Sequence, residues 1–223
     1  MEQKEISDYE RRRYSRHINL EEIGITGQLK VKRCSVLVIG IGGLGSVTTS
    51  LLTRAGIGRL GMVDSDKISL SDLQRQILYT THDIGKQKVL IAQQCLHEIN
   101  PDVNIEAHNA RFCQENAESL VNQYNIIIDG TDNLETRQLI NRVCCNSGKP
   151  FIFGAVDQFY GQASIFWKGR GPCFACLQSP EKNHATQEGE PTINVLSPLV
   201  LMIGAVQTNE AVKLITGVGS PLI

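Results

Sequence analysis

The stretch Val36-Leu37-Val38-Ile39-Gly40-Ile41-Gly42-Gly43-Leu44-Gly45 decides the fold. Its first four residues are apolar without alternation, the pattern of a parallel strand buried on both faces. They run straight into glycines. Gly40, Gly42 and Gly45 match the G-x-G-x-x-G spacing, and Gly43 adds a fourth. Ser46 to Arg54 continues as a helix. Strand, glycine turn and helix start in that order build a nucleotide phosphate site. The missing side chains let the backbone approach the phosphate, and the helix N-terminus presents unpaired N–H groups and a positive dipole end. The pattern usually means a dinucleotide-dependent dehydrogenase. The plainer reading is a tight strand–helix turn with no ligand.

Downstream, Gly58-Arg59-Leu60-Gly61-Met62-Val63 is a second strand ending in Asp64. Asp64 falls about 20 residues past the glycines, where an acid takes the ribose hydroxyls of a bound nucleotide. The next segment, Asp64 to Gln76, is polar and carries Asp66, Asp72 and Arg75, and Gly85-Lys86-Gln87-Lys88 follows. A dehydrogenase has little use for it. Acids and cations beside a phosphate site suit chemistry on a triphosphate, with metal around it. Lys88 to Asn100 reads as a helix with Val89, Ala92, Leu96 and Ile99 on one face and Cys95 beside them as a small core residue. Val103 to Ala107 is a third strand, and Gln114 to Gln123 a helix. In Asn125-Ile126-Ile127-Ile128-Asp129-Gly130-Thr131-Asp132-Asn133, an apolar strand ends in two carboxylates and an asparagine. Ligands of open parallel sheets bind beyond the carboxyl ends of the strands, so Asp132 faces the crevice of Gly40 and Asp64. Asp132 or Asn133 also suits the cap of the helix running to Ser147. Cys144 and Cys145 read as core fillers of that helix.

Pro150 to Ala155 is another strand, and Gly161 to Trp167 alternates as an antiparallel, half-exposed one does. Cys173-Phe174-Ala175-Cys176 supplies two of the four thiolates of a structural zinc site. Gln178 to Asn194 is a polar, exposed loop. Ser197-Pro198 opens an apolar helix to Thr216 with Glu210 and Lys213 as its only charges. At the other end, Ser7 caps a helix with Glu10 three residues on. Arg11, Arg12, Arg13 and Arg16 make it basic, and Gly24 and Gly27 break the pattern before a short helix from Gln28 to Lys32.

The 223 residues suffice for one large α/β domain, and a net charge of -1 sets up no global basic field for nucleic acid. The start Met1-Glu2-Gln3-Lys4-Glu5 is no signal peptide, and no apolar run reads as long enough to span a bilayer. Seven scattered cysteines, an odd number, argue for a reducing compartment. These readings make a soluble cytoplasmic protein the expectation, with no nucleic acid and no membrane as partner.

Several segments, in this order and spacing, resemble the ThiF/MoeB/HesA adenylyltransferases, bacterial relatives of ubiquitin-activating enzymes. They are Gly40 to Gly45, Asp64-Ser65-Asp66, Leu73-Gln74-Arg75-Gln76, Gly85-Lys86-Gln87-Lys88, Thr131-Asp132-Asn133, Cys173 with Cys176, and Gly204-Ala205-Val206-Gln207 leading to Glu210-Ala211. The match runs from Tyr14-Ser15-Arg16 to Gly219. The resemblance implies a Rossmann-like, mostly parallel sheet flanked by helices and continuing into antiparallel strands at the C-terminal side. It implies a single adenylation domain over 1–223. The helical arm is 1–33, the nucleotide-binding half 34–155, and the carrier-docking half 156–223, short at its end. The implied reaction is ATP-dependent adenylation of the C-terminal glycine carboxylate of a ubiquitin-like sulfur carrier protein ending in Gly-Gly. It serves sulfur transfer of the thiamine or molybdopterin type.

By the same resemblance, Gly40, Gly42, Gly43 and Gly45 line the nucleotide loop, Asp64 binds ribose, and Asp66 belongs to the same acidic motif. Arg75, with Gln76 beside it, and Lys88 contact phosphates. Asp132, followed by Asn133, holds magnesium. Arg16 reaches into the site of a partner protomer, which makes the enzyme a homodimer. Three departures stand out. Asp72 replaces an asparagine, which adds charge that either recruits metal or weakens ATP binding. The loop from Gln178 to Asn194, with Glu190 near the expected place, lacks the cysteine of the thiamine branch, which favours adenylation alone and a separate sulfur donor protein. The family's second C-x-x-C lies beyond the end of this sequence, so either a tail is omitted or the zinc site is lost, and the further ligands of a zinc on Cys173 and Cys176 are unidentified. Two other readings remain: a non-catalytic partner module of the same family, and an NAD-dependent oxidoreductase.

Overall fold

The computed structural model describes residues 5–177 and 194–223. The strands are β1 (Ser35–Ile39), β2 (Arg59–Val63), β3 (Asn104–His108), β4 (Ile126–Asp129), β5 (Phe151–Asp157) and β6 (Tyr160–Phe166). They form one sheet in the order β3-β2-β1-β4-β5-β6. The first five are mutually parallel and β6 runs antiparallel to β5. This is the doubly wound frame that the resemblance implied. The strand order reverses between β1 and β4, and a crevice opens at the carboxyl ends there.

The helices are α1 (Asp8–Arg13), α2 (Ser15–Ile18), α3 (Gly24–Arg33), α4 (Gly43–Ala55), α5 (Lys88–Ile99), α6 (Gln114–Asn122), α7 (Leu134–Ser147) and α8 (Ser197–Thr216). β1 and β4 are covered on both faces, which is why their sequences do not alternate. On one face Val36 and Val38 pack with Leu52 of α4, Val89 of α5 and Ala211 of α8. On the other, Leu37 and Ile39 join Leu120 of α6, Ile140 of α7, Phe112 and four further phenylalanines. These rings, Phe151, Phe153, Phe166 and Phe174, lie 5.2 to 6.4 Å apart between centroids. Both cores mix residues from before and after 156, so the two halves of the chain share them.

Some local expectations change. Ser7 does cap α1, in a capping box with Glu10. Gly24 opens α3 with φ 57°, and Gly27 lies inside that helix rather than breaking it. α8 has the length and apolar composition to cross a membrane, at a mean hydropathy of 1.2, contrary to the sequence reading. Here it packs on α4, β5 and β6 and buries Gln207 and Glu210. Gln207 Nε2 donates to Asp129 O at 2.7 Å, which ties α8 to the end of β4. Glu210 accepts from Leu222 N at 2.8 Å, and Leu222 O accepts from Ile165 N at 2.6 Å, so the last residues lie along β6. Of the loop read over Gln178 to Asn194, only Asn194 is described; Glu190 lies outside the described residues.

Candidate active site

α4 begins at Gly43, so the glycine turn includes the first turn of the helix. Gly40 takes φ 84°. A Cβ on Gly45 would sit 2.0 Å from Gly40 O, and one on Gly130 would sit 2.2 Å from the same oxygen. These glycines let β1, α4 and the end of β4 close on one another. Gly42 differs: a Cβ there meets only Gln76 Nε2, at 3.7 Å. Gly40, Gly42 and Gly43 line a cavity of about 1000 Å³ at the strand ends, while Gly45 is buried and does not line it. The buried Tyr79 hydroxyl donates to Ile41 O at 2.8 Å and pins the turn from outside.

The segment after β2 forms the second wall. Asp64 Oδ2 accepts from Ile41 N and its Oδ1 from Asp66 N, each at 2.7 Å. Burial pushes the Asp64 carboxyl up, against the pull of those two N–H groups and of Lys88. Lys88 is buried at the start of α5, with Nζ 3.4 Å from Asp66 Oδ2 and 3.6 Å from Asp72 Oδ2. Arg75 donates from Nη1 to Ser71 O at 2.9 Å and lies 3.4 Å from Asp72 Oδ1 through Nη2. Burial pushes the Asp72 carboxyl up, but Ser69, Lys88 and Arg75 outweigh it and hold it below the ordinary carboxylate range.

The third wall follows β4. Asp129 is fully buried and accepts from Arg137 Nε at 3.0 Å, Thr131 N at 2.8 Å and Thr131 Oγ1 at 2.6 Å. Burial pushes its carboxyl up, while Arg137 and Thr131 oppose. Arg137 also donates to Thr131 O at 2.7 Å. Asn133 is the cap of α7, accepting from Thr136 N at 2.9 Å. Asp132 is exposed at the lip and, with Asn133, lines the cavity. Asp64, Asp66, Arg75, Gln76 and Lys88 line it too. The structure thus collects in one crevice every nucleotide residue named from the sequence except Gly45 and Arg16.

A model of the ThiF family matches residues 14–223. The chain belongs to the ThiF family. The sulfur carrier protein adenylyltransferase of Thermus thermophilus is 39% identical over 215 residues, covering 94% of this chain and 79% of that protein. The probable molybdopterin-synthase adenylyltransferase of Porphyra purpurea is 42% identical over 211 residues, 94% of this chain and 55% of its own length. The solved structure of PaaA matches with a TM-score of 0.83 at 26% identity, over 100% of this chain and 71% of that one. The ThiF match replaces the oxidoreductase reading of the glycine motif.

Other features of this ThiF chain depart from the sequence reading or escaped it. Arg16 is exposed on α2 and does not line the cavity. Cys144 is a core filler, but Cys145 is not: its thiol stands beside Cys173, and burial with that neighbour pushes it up. Cys173 Sγ and Cys176 Sγ lie 3.4 Å apart. Burial raises Cys173, yet the bonds from Cys176 outweigh it and hold the thiol below its ordinary value. Two sulfurs at this separation suit neighbouring ligands of one tetrahedral ion. Among the described residues, however, no group of three or more His, Cys, Asp or Glu is placed to hold a metal. Sequence reasoning missed Arg137 and Tyr79, since neither has a motif and both act through tertiary contacts.

Proposed function

We propose that this chain adenylates the C-terminal glycine carboxylate of a ubiquitin-like sulfur carrier protein, with ATP as the second substrate. The observation that carries the reading is the convergence of Arg75, Lys88, Asp64 and Asp132 on the open face of Gly42 in one cavity. The two adenylyltransferase relatives support it by name.

The chemistry asks little of the protein in proton transfer. A carboxylate is already ionised near pH 7, so no general base is needed. One carboxylate oxygen attacks the α-phosphorus, the bond from that phosphorus to the bridging oxygen breaks, and pyrophosphate leaves. The product is an acyl-adenylate with a good leaving group. The site must therefore align the two reactants and balance negative charge. Asp64, held by two backbone N–H groups, presents a fixed acceptor to the ribose hydroxyls. The Gly42 backbone and the first turn of α4 take the phosphates. Arg75 and Lys88 offset the charge that moves onto pyrophosphate. Asp132, exposed and unburdened at the lip, fits a magnesium ion, which binds through one or two carboxylates and phosphate oxygens. The ion supplies further charge neutralisation when bound.

Arg16 lies outside this cavity, so its assigned role requires a second protomer. In that arrangement the enzyme is a homodimer that works in the cytoplasm with a separate sulfur donor. Zinc, if present, starts from Cys173 and Cys176. The specific observation that favours a non-catalytic module is the pairing of Asp72 with both cations.

ATP–pyrophosphate exchange with magnesium and carriers ending in Gly-Gly tests the reading. Exchange that depends on one carrier supports it and identifies the pathway. No exchange with any carrier, despite ATP binding, favours the non-catalytic module. Mixing Arg16→Ala with Asp132→Ala protomers tests the shared site: partial rescue supports it, and confirmed heterodimers without rescue refute it.

A further inference from the structure

Asp72 is only 5% exposed, yet it carries a full set of polar partners. Its Oδ2 accepts from Ser69 N and from Ser69 Oγ, both at 2.9 Å. Its Oδ1 accepts from Gln76 Nε2 at 2.8 Å. Arg75 and Lys88 approach the same two oxygens at 3.4 and 3.6 Å. A carboxylate so occupied has no oxygen left for a metal ion, which needs a free lone pair. It touches both cations that the proposed reaction assigns to phosphate, and it is itself held by a backbone N–H on its own short turn.

We propose that Asp72 is a positioning residue that also sets the charge of the triphosphate site. It aims Arg75 and Lys88 toward the cavity and cancels part of their charge, so alignment is gained at the expense of nucleotide affinity. This rests on the adenylation reading above. The argument is electrostatic. A fixed negative charge in a partly desolvated cavity repels a triphosphate more than it would in water. Lys88, buried between Asp66 and Asp72, has its ammonium held in place by two carboxylates rather than left to wander on a flexible stem.

The test is Asp72→Asn, which keeps the outline of the side chain. Its oxygen can still accept from Ser69. Gln76 Nε2 now donates to Asp72 Oδ1, so with the Gln76 amide turned over the new N–H₂ can donate to Gln76 Oε1, a buried acceptor without a hydrogen-bond partner. ATP affinity is measured by calorimetry on the full chain, with and without magnesium, and turnover by pyrophosphate exchange. The expected result is binding about fivefold to tenfold tighter, most clearly without magnesium, with turnover at saturating ATP at least about tenfold slower. Ser69→Ala keeps the charge but loses one anchor. It should slow turnover while leaving affinity within about twofold. Weaker ATP binding by Asp72→Asn overturns the proposal in favour of a metal ligand, and unchanged affinity overturns the charge role. Unchanged turnover overturns the positioning role. Wild-type protein that binds no ATP overturns the adenylation reading, and this inference with it.

Discussion

The walls of the crevice on either side of β1 handle charge in opposite ways. On the β2 side, Asp64, Asp66, Asp72, Arg75 and Lys88 form one connected set, and each is held by a neighbour. On the β4 side the work is divided. Asp129 is fully buried and bound to Arg137, while Asp132, three residues on, stands exposed at the lip. One wall is a preset cradle in which no charge is independent. The other separates a buried, paired carboxylate from an exposed one. Two acids at the end of one strand therefore stand in different environments, set by solvent access and by one arginine.

The comparison breaks most visibly at Asp129. Asp129→Asn leaves Arg137 without its buried counter-ion and should cost about 3–5 kcal/mol of stability. Asp132→Ala should leave stability within about 0.5 kcal/mol and abolish adenylation. Denaturant melts of both variants, with pyrophosphate exchange on the second, check the division. If Asp132→Ala destabilises as much as Asp129→Asn, the β4 wall has no such separation.

The glycines offer a second contrast. Gly45→Ala drives a Cβ to 2.0 Å from Gly40 O, a backbone atom that cannot swing away. Overpacking of that kind should cost about 3 kcal/mol or more. Gly42→Ala meets only the Gln76 amide, at 3.7 Å, and should melt within about 2 °C of wild type. Its methyl group instead stands where phosphate approaches, so ATP binding should weaken by about tenfold or more. Calorimetry on the two variants separates packing from binding. Equal loss of stability in both would remove the distinction between the glycines.

This division also marks what the sequence could reveal. The strand and glycine turn were readable because their meaning is local: spacing sets a close backbone approach, and β1 lies buried on both faces. Asp64 followed from its distance past the glycines at a strand end, and Lys88 from the family resemblance. Arg137 was not readable, because an arginine in the first turns of a helix has many uses, and its partner Asp129 is fixed only when β4 and α7 pack. Cys145 was misplaced for the same reason. Adjacent cysteines on a helix point different ways, and the turn carrying Cys173 decides which of them meets another sulfur. Asp72 was visible as a residue, but the choice between metal ligand and charge clamp needed the positions of five donors.

The smallest expected effect concerns the cradle itself. Burial raises the Asp72 carboxyl, but Ser69, Lys88 and Arg75 leave it below its ordinary value of 3.8. The ionised side chain therefore contributes stability that is complete above that unfolded value. The contribution fades as pH falls through 3.8 toward the folded value, because protonation then breaks the contacts. Asp64 runs the other way: its folded value is raised, so its ionised form costs stability at neutral pH, and that cost is relieved as pH falls through the folded value toward the unfolded one. In Asp72→Asn the acid-labile contribution is absent. The variant should melt below wild type at pH 6, and the gap should narrow by about 2 °C by pH 3. Scanning calorimetry across that range checks it. Parallel curves would mean that the contacts from Ser69, Lys88 and Arg75 together give the ionised carboxyl no net advantage in the folded state.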